Sequence, residues 1–139
     1  MIEKEILQKY YRVYAKIDLD AIENNIIEMK KNLGEHTQMA AVLKTDGYGH
    51  GAVPIASVIK DKVRAFAVAT IDEGMNLRRH GIENDIFILG FLPDSRIDDA
   101  IKNNIWPAIF SFEMAQKISR KAEKAGIQAK IQIKVDTGM

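Results

Sequence analysis

Short apolar runs alternate with helix-patterned stretches along this 139-residue chain, and that alternation restricts the fold more than any other feature. The runs are RVYAKIDL (12–19), MAAVLK (39–44), AFAVAT (65–70), DIFILG (85–90), WPAIF (106–110) and AKIQIKVD (129–136). From the second onward they begin at residues 39, 65, 85, 106 and 129, about 20 to 26 residues apart. A strand, a return helix and two short loops need that length. The pattern therefore predicts repeated βα units and a parallel sheet.

The intervals carry helix signals. Asp20 with Glu23 reads as a capping box, Ile22, Ile26, Met29 and Leu33 form an apolar stripe, and Gly34 supplies a stop. Thr70 with Glu73 repeats the capping pattern before a stop at Gly81. A third helix carries Ile97, Ala100 and Ile101. A fourth starts at Ser111, carries Phe112, Ala115, Ile118, Ala122 and Ala125, and ends at Gly126. Residues 52–62 make a weaker helix, in which Pro54 is tolerable only in the first turn.

Both a doubly wound sheet and a (β/α)8 TIM-type barrel use this alternation. Face parity favours the barrel. Met39, Ala41 and Leu43 share one face of their strand, and Ala40, Val42 and Lys44 share the other. Ile131, Ile133 and Val135 oppose Gln132, Lys134 and Asp136 in the same way. A doubly wound sheet is apolar on both faces, whereas a barrel tolerates polar groups toward its lumen near the mouth. Lys44 and Lys134 both fall at strand ends on the face assigned inward. A whole barrel takes about 250 residues, so this chain supplies part of one. It stops at KVDTGM, a strand entering a glycine turn, which predicts truncation of a longer barrel.

Composition removes other classes. Cysteine is absent, which excludes disulfides, thiolate catalysis and zinc–thiolate sites. Three scattered histidines argue against a His-based metal site. The net charge of +1 gives no basic bias toward nucleic acid. No apolar run approaches the roughly 20 residues of a membrane span, and the N-terminus lacks a signal-peptide core, so the expected location is cytoplasmic.

The stretch AVLKTDGYGHG (41–51) concentrates the chemistry. A core-like run ends in Lys44, and a loop of three glycines follows. An amine held in a partly dry pocket sheds its proton more readily, and a neutral amine attacks carbonyls. Gly47, Gly49 and Gly51 let backbone approach a ligand closely and can form a nest of N–H groups for an anion. Tyr48 adds a hydroxyl donor. His50 reads as a structural hydrogen-bonder and Asp46 as a turn residue. The lysine precedes the glycines, so this is neither a P-loop nor a dinucleotide fingerprint.

The same stretch resembles the pyridoxal-phosphate attachment motif of the alanine racemase family, V-K-A-x-A-Y-G-H-G, from which Thr45 and Gly47 depart. AKIDLDAIENNI (15–26) resembles the family's opening segment, FAVATIDEGMNLR and IFILG fall where similar segments follow, and KVDTGM resembles the start of K-x-D-T-G-M-G-R. The likeness runs in order from about residue 12 to the end.

The resemblance implies an α/β fold: the N-terminal part of a (β/α)8 barrel, with about five parallel barrel strands plus an N-terminal strand. Residues 1–139 would be a partial barrel domain, with the family's C-terminal β-domain absent. It implies an isomerase that interconverts L-alanine and D-alanine, which supplies D-alanine for the bacterial cell wall. Lys44 would hold pyridoxal 5'-phosphate as an internal aldimine and act as one of two acid/base groups. Tyr48 would hydrogen-bond the cofactor phosphate and Val42 would line its ring. Lys134 matches a lysine carbamylated in many members, and Met139 would stand near the substrate. The intact enzyme would be a homodimer in which the partner supplies a tyrosine as the second acid/base group. This chain alone is then expected to be inactive, and its open sheet edge is expected to make it self-associate. The alternatives are a racemase of serine or of broad specificity, and a non-catalytic pyridoxal-phosphate-binding half-barrel.

Overall fold

Each apolar run from residue 39 onward contributes a strand, because each finds a parallel neighbour on the sheet, and helices cover one face of all but the last. The computed structural model describes residues 12–138. Its strands are β1 (Ala40–Val42), β2 (Ala65–Val68), β3 (Asp85–Ile88), β4 (Ile105–Ile109) and β5 (Gln132–Ile133). Parallel strands need crossovers, supplied here by α2 (Ala52–Ile59), α3 (Ile71–Arg79), α4 (Ile97–Lys102) and α5 (Phe112–Ala125), with α1 (Leu19–Lys31) preceding β1.

The strands lie side by side in chain order, β1-β2-β3-β4-β5, and every pairing is parallel. A doubly wound sheet reverses its order at a switch point. An unreversed order adds each strand beside the last, as a barrel wall does.

One parity of the strands builds the core. Phe66, Val68, Ile86, Ile88, Ile105 and Ile109 pack with Ile55, Ile59, Leu77, Ile97 and Ile118 of the helices. Burial of each such side chain contributes about 1.5–3 kcal/mol. The opposite parity faces the prospective lumen. Phe87 and Trp106 meet there as a tilted pair with centroids 5.1 Å apart and planes at 52°, and Lys130 Nζ lies 5.0 Å from the Trp106 ring centroid. Asp85, buried at the start of β3, takes an ion pair from Arg64 at 2.7 Å.

The end of the sheet away from Lys44 is tied by Arg78. Its guanidinium donates to the carbonyls of Ile82 and Asn84, which lead into β3, and of Asn103 and Asn104, which lead into β4. Burial pushes the Arg78 pKa down, with Asp85 and Glu83 opposing that shift.

Several expectations need correction. Residues 12–18 form no strand; Val13 and Tyr14 are exposed, the segment finds no ladder partner among the described residues, and Leu19 already belongs to α1. The α1 cap is Asp18, whose Oδ1 accepts from Ala21 N–H at 3.0 Å, rather than Asp20. Glu23 pairs with Lys62 instead of closing a box, and α1 ends at Asn32, before Gly34. Met29 points outward, as do Phe112 and Ala125 of α5, whose buried stripe runs through Met114, Ile118 and Ala122. The run 129–136 pairs only at Gln132–Ile133. Among the described residues it is the last strand of the sheet and pairs on one side only, and Ile133 is 76% exposed. The Thr70–Glu73 capping box, the Ser111 cap and the Gly126 stop form as expected.

Candidate active site at the carboxyl ends of the strands

Lys44 owes its direction to the strand before it. Leu43 N–H donates to Ala67 O at 2.8 Å, which extends the β1 ladder one residue past Val42. Leu43 is buried among the helices, so the pleat turns Lys44 to the lumen face, beside Val42.

The chain then takes a left-handed turn. Thr45, Asp46 and Gly47 have φ/ψ of 56/46, 52/49 and 61/40, and Tyr48 has φ 56. Three of these residues carry a Cβ, and each costs about 1–2 kcal/mol in that region. Such strain persists only where surrounding contacts enforce it, and it gathers at functional sites. Within this turn Gly47 is also crowded: a Cβ there would sit 3.1 Å from Ile55 Cδ1 and 3.3 Å from Ala52 N.

Two carboxylates enforce the turn. Asp46 Oδ1 accepts from Ala52 N–H at 2.8 Å, joining the turn to the start of α2. Glu73 Oε1 accepts from Thr45 N–H at 2.8 Å, while its Oε2 accepts from Ala69 at 2.7 Å and Thr70 at 3.3 Å. The sequence marks Glu73 as a capping residue only. No local pattern announces a bond to Thr45, because the two are joined by packing of α3 beside the turn.

The glycine loop is not a free anion nest. The N–H groups of Gly47, Gly49, His50 and Gly51 donate to the carbonyls of Leu43, Thr45, Gly47 and Asp46. An anion at this loop would rely on side chains. His50 Nδ1 lies 3.1 Å from Tyr48 O, in keeping with a structural role.

The left-handed turn also places Tyr48 beside the amine. Lys44 Nζ is 5.9 Å from the Tyr48 ring centroid. Among the described residues Lys44 forms no ion pair. Tyr48 is 59% exposed and Val42 41% exposed, so a hydroxyl, an apolar wall and an unpaired amine share one accessible place.

Lys134 lies on the same face and at the same end of the sheet. Val42 registers with Ala67, Ala67 with Phe87, Phe87 with Trp106, and Ala108 with Gln132. Lys44 and Lys134 each stand two positions beyond a member of this inward set. Lys134 N–H donates to Ile109 O at 2.8 Å, and its Nζ makes a long 3.4 Å contact with Leu89 O at the end of β3. Gln132 Nε2 reaches across β4 to Ile88 O at 3.0 Å. Met139 lies outside the described residues.

A parallel sheet in barrel order, with Lys44 beside a strained left-handed turn at the carboxyl ends of its strands, defines a segment of a βα-barrel wall with an accessible amine at its rim. Residues 17–139 match the family described as alanine racemase, N-terminal domain, and the chain belongs to that family. The alanine racemase of Desulforamulus reducens is 41% identical over 128 residues, covering 91% of this chain and 35% of that protein. The alanine racemase of Clostridium difficile 630, solved in complex with cycloserine, superposes with a TM-score of 0.84 at 41% identity, over 88% of this chain and 33% of its own. A histidine racemase of Leuconostoc mesenteroides superposes with a TM-score of 0.77 at 28% identity, over 87% of this chain and 32% of its own. The chain thus spans about a third of the length of the relatives it matches.

Proposed function

We propose that this chain is the cofactor-holding portion of an alanine racemase that uses pyridoxal 5'-phosphate. The observation that carries the reading is the unpaired Lys44 amine at the barrel-end rim, with the Tyr48 hydroxyl and the Val42 side chain open beside it. These residues fit the cofactor: an amine for its aldehyde, a hydroxyl for its phosphate and an apolar wall for its ring. When bound, pyridoxal phosphate supplies an electron sink for the carbanion at the substrate Cα.

Lys44 Nζ holds the cofactor and carries the proton for one face of the Cα. An amine suits that role because it can take up and return a proton without leaving its place. Racemisation requires a second such group on the opposite face. Among the described residues Lys44 has no opposed tyrosine at the rim. As the family resemblance implies, we assign the second group to a tyrosine contributed by the partner in a homodimer. The 139-residue chain assayed alone should not racemise. Lys134, when carbamylated, becomes an anion on the same rim and serves to orient a cation rather than to move a proton. Met139 belongs near the substrate in this reading, and cytoplasmic supply of D-alanine for the cell wall is its biological part.

The test is a chimera joining residues 1–139 to the remaining two thirds of the Desulforamulus reducens racemase. It should interconvert the alanine enantiomers by chiral chromatography, and its Lys44→Ala variant should not. Borohydride reduction after incubation with pyridoxal phosphate should place the pyridoxyl label on Lys44. Labelling spread evenly over the lysines would sink the reading. A racemase of another amino acid is the second reading. It is favoured by the histidine racemase likeness, since the same barrel segment occurs there. Assaying the chimera on serine and histidine separates the two.

A further inference from the structure

We infer that Glu73 is a positioning residue for the Lys44 site: its carboxylate clamps the backbone immediately after Lys44 and so holds the Tyr48 turn against the amine. The inference rests on the cofactor reading of Lys44.

Before Lys44, the chain is held by the ladder bond from Leu43 N–H to Ala67 O at 2.8 Å. After it, the first left-handed residue is held by Glu73 Oε1 on Thr45 N–H at 2.8 Å. Lys44 is therefore fixed on both sides, and both anchors lead to β2 and its exit. Glu73 Oε2 takes Ala69 N–H at 2.7 Å and Thr70 N–H at 3.3 Å from that exit. One carboxylate thus joins the strand that precedes α3 to the turn that follows β1. Thr45 is β-branched and sits at φ 56, a conformation it would leave without an external tie. If it relaxed to negative φ, the turn after Lys44 would swing away from the anchored strand, and Tyr48 would leave the face it shares with Lys44 and Val42. A helix cap alone has no use for the Thr45 bond, since Ala69 and Thr70 complete the cap.

Glu73→Gln separates the two duties. A carboxamide offers one acceptor oxygen and one N–H₂ group, which faces a donor badly. The oxygen will serve the two N–H groups of Ala69 and Thr70, and Thr45 will be released. Thr70→Ala is the opposite control: it removes the hydroxyl that accepts from Glu73 N–H at 3.3 Å and weakens the helix start, but leaves the Thr45 bond.

The experiment uses the 139-residue chain, with folding checked by circular dichroism. Amide exchange by NMR should show Thr45 N–H opening about tenfold or more faster in Glu73→Gln, and little changed in Thr70→Ala. Incubation with pyridoxal phosphate and borohydride should give a pyridoxyl label on Lys44 about ten- to a hundredfold more slowly in Glu73→Gln than in wild type or Thr70→Ala. Reaction at exposed Lys60 serves as the internal reference. Unchanged Thr45 exchange, or unchanged Lys44 labelling despite faster exchange, overturns the inference. If Glu73→Gln fails to fold, a scalar coupling between Thr45 nitrogen and Glu73 Cδ in wild type decides whether the clamp exists. Absence of preferred Lys44 labelling in wild type counts against the cofactor reading instead, while Thr45 exchange still judges the clamp.

Discussion

Lys44 Nζ stands 5.9 Å from the centre of the Tyr48 ring, and a left-handed turn is what brings them together. The sequence separates these residues by a threonine, an aspartate and a glycine, none of which suggests an ordinary helix. The strain at Thr45, Asp46 and Tyr48 is the cost of that juxtaposition, and Glu73 and Asp46 hold it in place.

Tyr48→Phe keeps the ring beside the amine and removes only the hydroxyl. Affinity for pyridoxal phosphate, read by absorbance titration, should fall about tenfold, the worth of one hydrogen bond to a charged group. Equal affinity in the two proteins would show that the hydroxyl does not reach the phosphate.

Gly47→Ala should destabilise the chain by about 1–3 kcal/mol in urea titration, through positive φ and crowding together. Gly47 has φ +61, and its added methyl would press on Ile55 and on the α2 backbone. Gly126→Ala is the comparison: it shares the positive φ but meets nothing within 4 Å, so its cost should be the smaller.

Arg78→Ala leaves the carbonyls of Ile82, Asn84, Asn103 and Asn104 without their shared donor. A loss of about 2–4 kcal/mol is expected, since charge-assisted bonds to half-buried groups are the strong ones. Arg78→Lys should recover only part, because an ammonium lacks the planar fork. Thermal unfolding of the three proteins checks the order.

Asp72 titrates below its ordinary value near 3.8, chiefly through its hydrogen bond from Arg96 at 2.8 Å. A carboxylate with a depressed folded-state pKa stabilises fully above the unfolded value and loses that contribution as pH falls through the folded one. Asp72→Asn should therefore lower the urea midpoint slightly near neutrality, and the gap should close as pH falls through the depressed carboxyl pKa. The effect should be small because the side chain is largely exposed. A gap that widens in acid would contradict the assignment.

Ile133 on the last strand and Val135 just beyond it lie bare, 76% and 71% exposed, and Phe112 nearby is 75% exposed. The 139-residue chain should associate in sedimentation velocity at micromolar concentration, and Ile133→Lys should reduce that association. Monodisperse wild-type monomer would show that the edge is protected in some other way.

Periodicity made the parallel βα order readable, because a strand at half-buried pitch and a helix with one apolar stripe are local patterns. The Thr70–Glu73 box and the Gly126 stop were readable for the same reason. Met29 and Phe112 were misplaced because a stripe position says nothing about whether the helix turn lies over a neighbour or over the rim. The expected strand at 12–19 does not form because alternation proposes a strand, but only a partner strand makes one.

Lys44 and Tyr48 can be singled out along the chain from residue type and order, and Val42 from the family resemblance. Their meeting on one face depends on the sign of φ at four successive residues. That sign follows from carboxylates arriving from α3 and from within the turn itself, and from the close contact at Gly47. Long-range hydrogen bonds and packing choose between backbone basins that local sequence leaves nearly open. For that reason the clamp on Thr45 came into view only once α3 and β1 lay side by side.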